Sequence, residues 1–271
     1  MDNETEIALT GRSGAGLLRV MESTAREVGV LLRDRFGTTL QVDEKSPRNY
    51  VTEVDRQSET LIRDRLLAEY PDFGFLGEES DESHGNDSRM QWIVDPVDGT
   101  RNLVHEVPIY CLSIGLANAG RPVAGVIYDP LRDELFSSAP GEPPRLNGKP
   151  TGVSSTAELG HCLIAFDLGK SSGAYRQTHA ILGELMPRFQ SIRSLGSQAL
   201  AMAYVASGRF DLYFNMKSSP WDVAAGIALV RSNGGDVTDM SGGDSAIPIA
   251  GLVAGNPSVV AQFTEAVAGA F

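Results

Sequence analysis

Strands and helices alternate along both halves of this 271-residue sequence without an internal repeat, which predicts a layered, mixed α+β / α/β fold. A segment rich in Pro, Gly, Ser and Thr at 139–160 divides that alternation. The expected domains are residues 1–150, an α+β lobe, and residues 151–271, an α/β lobe. A chain of this length can bury one large core or two lobes sharing an interface.

The first dozen residues read as a mobile leader. Gly11-Arg12-Ser13-Gly14-Ala15-Gly16 is not a phosphate loop, because no strand precedes it and no Gly-Lys-Ser/Thr ending follows. Leu17, Met21, Ala25, Val28 and Leu32 mark one face of a helix that Gly37 stops. A second helix opens at Thr52, carries Val54, Leu61, Ile62 and Leu66, and ends near Tyr70-Pro71. Trp92-Ile93-Val94 is a buried strand end. Pro96 forbids its continuation as a central strand, so Asp95 and Asp98 are expected on a turn at a sheet edge. Residues 110–117 and 122–128 predict paired strands around Asn118-Ala119-Gly120-Arg121, and residues 134–138 another. Beyond the boundary come a strand at 162–166, a helix within 173–187, a short strand near Ile192, a helix over 197–207 and a strand at 211–214. The helix of Trp221 then stops at Gly234-Gly235.

The formal charge of −12 argues against a nucleic-acid backbone or an anionic membrane as main partner. An acidic protein would also repel a phosphate ester unless bound cations reversed the local field. Cys111 and Cys162 are too few for a disulfide framework and are expected as buried free thiols. No basic-then-apolar leader and no membrane-spanning apolar stretch is present, so a cytoplasmic location is expected.

Four acidic segments stand out. In Asp95-Pro96-Val97-Asp98-Gly99-Thr100, two carboxylates three residues apart would repel and raise one pKa unless a cation sat between them. Hard oxygen ligands suit Mg²⁺ or Ca²⁺ better than zinc. The alternative is an Asp-Gly hairpin turn, although residues 101–106 lack the alternation of a returning strand. Gly77-Glu78-Glu79-Ser80 ends a short apolar run and could instead be solvated loop charge. Asp55 in Thr52-Glu53-Val54-Asp55 could complete a capping box, as could Asp222 from Ser219 with Pro220 at the first helical position.

Taken in order, Thr52-Glu53-Val54-Asp55, Gly77-Glu78-Glu79-Ser80, Asp95-Pro96-Val97-Asp98-Gly99-Thr100 and Trp221-Asp222-Val223-Ala224-Ala225-Gly226 resemble the inositol monophosphatase family of metal-dependent sugar-phosphate phosphatases. The resemblance covers nearly all of the chain after the first dozen residues. It implies an αβαβα sandwich with the active site between the lobes, Asp222 arriving from the second, and a homodimer. It also implies a Mg²⁺-dependent phosphomonoesterase acting on a small polyol or sugar phosphate.

By the same resemblance, Glu78, Asp95 and the carbonyl of Val97 hold one Mg²⁺, and Asp95, Asp98 and Asp222 a second. A third, looser ion leans on Glu78, with Glu79 outside it. Asp55 and Thr100 orient and deprotonate the attacking water, so Asp55, Thr100 and Glu78 form the implied catalytic set. Backbone N–H groups of Gly99 and Thr100 receive phosphate oxygens. Lys45 lies where the family carries a lysine near the metal-site loop, and His105 is given no chemical role.

Substrate contacts are implied for Asp98, Gly99, Thr100, Gly196, Gln198, Asn215, Asp222 and Lys170. Inositol-selective members carry a glutamate where this sequence has Asn215, and a smaller residue where it has Gln198. Lys170 could meet a second phosphate or simply be an exposed loop lysine. Inositol 1-phosphate is the best single substrate expectation; fructose 1,6-bisphosphate, histidinol phosphate and a nucleotide phosphate use the same chemistry. A non-catalytic metal-binding regulatory protein is the alternative class, and the presence of Thr100, Asp55 and the first acids argues against it.

Overall fold

The computed structural model describes residues 10–14, 16–46, 49–80, 89–169 and 171–270. The chain runs through α1 (Leu17–Arg35), a ribbon of β1 (Val42–Ser46) and β2 (Asn49–Thr52), and α2 (Glu53–Glu69). Among the described residues a seven-stranded sheet follows: β3 (Gly74–Gly77), β4 (Met90–Asp98), β5 (Cys111–Asn118), β6 (Arg121–Asp129), β7 (Glu134–Ala139), β8 (Glu142–Leu146) and β9 (Lys149–Pro150). These lie side by side in chain order, with the short helix α3 (Thr100–Val104) between β4 and β5. Only the β3–β4 pair in that sheet is parallel. Then come β10 (Leu163–Asp167), α4 (Ser172–Leu185), β11 (Ser191–Arg193), α5 (Gln198–Ala206), β12 (Leu212–Asn215), α6 (Pro220–Ser232), β13 (Asp236–Thr238), β14 (Leu252–Gly255) and α7 (Pro257–Ala270). The second sheet has the order β11-β10-β12-β14-β13.

Alternation along the strands explains the layering. Leu112, Ile114 and Val126 face α1 and α2, whereas Cys111 and Ile127 face α5 and α6. In β12, Tyr213 joins the middle layer, while Leu212 and Phe214 pack outward with residues of α4 and α7. The result is a five-layer αβαβα sandwich. Helix α6 lies in its centre: residues 222–230 are all buried, as expected for a helix apolar on every side. A Cβ at Gly125 would stand 2.4 Å from the Ala225 carbonyl oxygen, and one at Gly115 3.0 Å from the Ala224 Cβ. Glycine at these two positions lets α6 seat directly on β5 and β6. Full burial of side chains such as Ile227 and Val230 contributes about 1.5–3 kcal/mol each.

In the second sheet β10 pairs in parallel with both β11 and β12. The chain leaves β10 through α4 to β11 on one side, then returns through α5 to β12 on the other. The carboxyl ends of β10 and β12 therefore form a topological switch point, where open α/β sheets bind ligands.

Three expectations need correction. Gly11 to Ser13 do not form a loose leader: Arg12 N donates to the Glu69 carbonyl at 3.2 Å and Ser13 N to Glu69 Oε2 at 2.9 Å, docking them on the end of α2. Pro96 does not end β4. Pairing with β5 continues to Asp98 across a one-residue bulge between Asp95↔Ser113 and Asp98↔Cys111, which accommodates the missing proline N–H. The segment 139–160 also holds strands its prolines hid: β9 is the edge of the sheet, and Pro143-Pro144 of β8 fall at the bulge opposite Ser137–Ala139, beyond the reach of β9.

Candidate active site

The site is built where β4, α2 and α6 end or begin. The bulge turns the end of β4 so that Asp95 Oδ1 accepts from Val97 N at 3.0 Å. Gly99 follows with φ 98°, a left-handed conformation in which a Cβ would also press on the Ile109 carbonyl at 3.1 Å. This turn launches α3 at Thr100, whose Oγ1 is 2.9 Å from Asp55 Oδ1 and 3.0 Å from the Val97 carbonyl oxygen. One hydroxyl proton cannot serve both acceptors. With Asp55 ionised the proton goes to the carboxylate, and the carbonyl of Val97 remains an acceptor for something else.

Asp55 combines the capping and site readings of the sequence in one side chain. Its Oδ2 accepts from Thr52 N at 2.9 Å and from the Thr52 hydroxyl, closing the capping box of α2, while Oδ1 faces Thr100. Burial pushes its pKa up, against the lowering effect of these hydrogen bonds.

Glu78 is positioned by a residue the sequence reading missed. Glu59 on α2 is 2% exposed and accepts from Glu79 N at 2.7 Å and from the Ser80 hydroxyl, gripping the backbone just past Glu78. Glu78 N donates to the Val94 carbonyl at 3.2 Å, extending the β3–β4 pairing. Gly77 admits this packing, since a Cβ there would lie 2.3 Å from the Glu59 carboxylate. The signal was legible: Asp55, Glu59, Ile62 and Leu66 share the buried face of α2, and two acids in that stripe need partners. Glu79 pairs with Lys45 at 2.5 Å, and Lys45 also reaches the Glu78 carbonyl at 3.4 Å. Burial raises the Glu79 pKa and the lysine opposes it. Lys45 is thus tied to the acidic loop, whereas His105, at the end of α3, is exposed.

From the opposite side, α6 delivers Asp222. Its Oδ2 accepts from Ser219 N at 2.7 Å and from Gln198 Nε2 at 3.2 Å. The amide orientations follow from an unambiguous donor. Lys217 N–H binds Asn215 Oδ1 at 3.3 Å, so Asn215 Nδ2 must donate to Gln198 Oε1, 2.7 Å away, and Gln198 Nε2 must face Asp222. Asp98 Oδ2 accepts from Ser197 Oγ at 2.5 Å and Ala199 N at 2.7 Å, joining the end of β4 to the start of α5. Cys111 and Cys162 are buried free thiols; burial first and Asp98 second push the Cys111 pKa well up.

Ligand atoms of Glu78, Asp95 and Asp222 all lie within 4.8 Å of one another. Three converging carboxylates with hard oxygen donors make a fitting seat for Mg²⁺, and a cation there would relieve their repulsion. They line a cleft of 480 Å³ together with Val97, Asp98, Gly99, Thr100, Gly196 and Gln198. Asn215 is set back: fully buried, it donates to Gln198 and Ser218 behind the cleft wall. Lys170 lies outside the described residues. Asp167, at the carboxyl end of β10, also lines the cleft and was given no role by the sequence reading. Burial first, then the negative field of Asp98, pushes its pKa up to about 7.

Comparison with known proteins agrees with this geometry. The profile described as "Inositol monophosphatase family" matches residues 15–269. "Inositol-1-monophosphatase" of Mesorhizobium japonicum is 38% identical over 256 residues, spanning 93% of this chain and 96% of that protein. "Nus factor SuhB" of Escherichia coli (strain K12) is 36% identical over 247 residues, 90% of this chain and 92% of that one. Among solved structures, the extragenic suppressor protein suhB from Bartonella henselae superposes with a TM-score of 0.88 at 38% identity, covering 93% of this chain and 98% of its own. The IMPase of Thermotoga maritima gives 0.85 at 30%, covering 94% and 97%. Among the described residues no helix is long and apolar enough to cross a membrane. With a profile match along almost its whole length, a shared fold and converging acids at its centre, the chain belongs to the inositol monophosphatase family.

Proposed function

We propose that this protein is a Mg²⁺-dependent phosphomonoesterase for a small polyol or sugar phosphate, with inositol 1-phosphate the best single substrate. The observation that carries the reading is the Asp55–Thr100 pair, 2.9 Å apart, bordering the same cleft as the three converging carboxylates. Glu78, Asp95 and the Val97 carbonyl would hold one ion, and Asp95, Asp98 and Asp222 a second. Bound Mg²⁺ supplies neutralisation of the phosphoryl oxygens and acidification of water. Thr100 Oγ1 accepts a proton from the attacking water as its own proton passes to Asp55, whose raised pKa suits it to receive one. The N–H groups of Gly99 and Thr100 seat the phosphate. Residues 1–150 and 151–271 are taken as the two lobes that meet there, in a cytoplasmic homodimer.

The reading is tested by phosphate release in Mg²⁺ from inositol 1-phosphate, fructose 1,6-bisphosphate, histidinol phosphate and a nucleotide monophosphate. At least one should turn over, and Asp95→Asn should lower that rate by roughly 10²–10³-fold or more with the circular dichroism unchanged. Silence across the panel would overturn enzymatic action and favour the alternative of a non-catalytic, metal-binding regulatory protein.

A further inference from the structure

The cleft does not stop at the acids proposed to hold metal. It continues to the carboxyl end of β10, at the switch point of the second sheet, where Asp167 stands opposite Asn215 of β12 in register. Of these two side chains only Asp167 lines the cleft. Asn215 is consumed by the relay that orients Gln198, so it presents nothing to a bound molecule.

The hydrogen bonding of Asp167 is loose. Ser194 Oγ approaches Oδ1 at 3.5 Å and the Tyr213 hydroxyl approaches Oδ2 at 3.3 Å. The Gly196 backbone also donates to the carboxylate. Tyr213 has a single proton, and its alternative acceptor, Gln198 Oε1, already takes Asn215 at 2.7 Å and Ser218 at 2.9 Å. That proton therefore belongs to Asp167. A carboxylate offers about four lone-pair sites, so with two long donors and one backbone donor Asp167 keeps capacity to accept. Asp98, by contrast, is held by two donors at 2.5 and 2.7 Å on one oxygen.

Resting on the phosphatase reading above, we propose that Asp167 determines specificity by accepting hydrogen bonds from the alcohol portion of the substrate. The alcohol thus belongs to a class bearing donors, hydroxyl or ammonium, on carbons beyond the ester oxygen. An apolar alcohol would desolvate this acceptor without replacing its water, which a site built for donors rejects. Ser172 and Ser194 line the same wall and complete a polar seat for a hydroxylated skeleton.

The experiment compares kcat and KM of wild type, Asp167→Asn and Asp167→Leu on inositol 1-phosphate, phosphoethanolamine and p-nitrophenyl phosphate, which carries no donor. In Asp167→Leu the kcat/KM ratio of the preferred donor-bearing ester over the aryl ester should fall roughly 10- to 100-fold, mainly through KM. Asp167→Asn separates the two donor types: an amide oxygen still accepts from hydroxyls, so a hydroxyl partner keeps most of its ratio and an ammonium partner loses it. Mn²⁺ binding followed by electron paramagnetic resonance shows that each variant still forms the acidic cluster; should Leu prevent folding, the near-isosteric Asn with phosphoethanolamine carries the charge test and a serine variant the hydroxyl test. A ratio that stays within twofold for both donor-bearing esters overturns the role of Asp167 while leaving phosphatase action intact. No turnover of any ester by the wild type overturns both.

Discussion

On the side of the cleft made by α2, β3 and β4, acids are anchored mainly by backbone amides. Thr52 N holds Asp55, Val97 N holds Asp95, and Glu59 grips the amide of Glu79 beside Glu78. On the side made by β12, α5 and α6, Asp222 takes one backbone amide, Ser219 N, and is otherwise backed by side chains: Gln198, Asn215, Ser218 and Tyr213 form a network of amides and hydroxyls behind it. A backbone amide survives nearly every substitution, whereas a side-chain network is rewritten by one. The first side is thus suited to fixed chemistry and the second to a substrate preference that can change within one fold.

That contrast can be broken experimentally. Thr100→Val, on the backbone-anchored side, should lower kcat roughly 10²–10⁴-fold on every ester the protein turns over, with KM little changed. A loss confined to one substrate in steady-state assays would erase the distinction between the sides. Gln198→Leu should act more gently. It strips the buried Asn215 and Ser218 of an acceptor, so urea unfolding should show a loss of about 1–3 kcal/mol. It also removes a donor from Asp222, so Mn²⁺ affinity by calorimetry should fall roughly 10- to 100-fold.

The smallest effect sharpens the comparison through pH. The folded carboxyl of Asp167 keeps its proton up to about pH 7. The unfolded one keeps it only to about pH 4. The contribution favouring the folded state is therefore fully present below the lower value and is lost as pH rises through the upper one. In metal-free protein, melting temperatures should show Asp167→Asn gaining on the wild type between about pH 4 and pH 7. Parallel curves would mean that Asp167 ionises as freely as in water.

Much of this was legible from residue order. The period of Leu17, Met21, Ala25 and Val28 marked α1, Ser219-Pro220 marked the start of α6, and turn residues at 118–121 marked the β5–β6 hairpin. The four acidic segments were visible because each joined a helix start or strand end to a motif. Strands β13 and β14 were missed because three or four residues are too few to show a period, and β14 is buried throughout. Helix α7, beyond them, was not anticipated. Asp167 escaped for a related reason: a lone acid at a strand end looks like any surface charge until the return of β12 brings a cleft to it. Strands β8 and β9 were concealed by prolines, which the bulge in β8 and the edge position of β9 tolerate and a regular central strand does not.

The seating of α6 between the two sheets has a consequence for biosynthesis. A polypeptide emerging from the ribosome with the strands of its first sheet already folded would carry Glu78 and Asp95, but the acidic cluster would lack Asp222. The helix bearing that residue needs the second sheet to close over it, and β14, the strand lying between β12 and β13, follows α6 in the chain. Such distant partners meet late. A chain that has not yet folded its second sheet over α6 would therefore hold only part of the acidic cluster, and a divalent ion would find the full set of carboxylates only once that sheet forms.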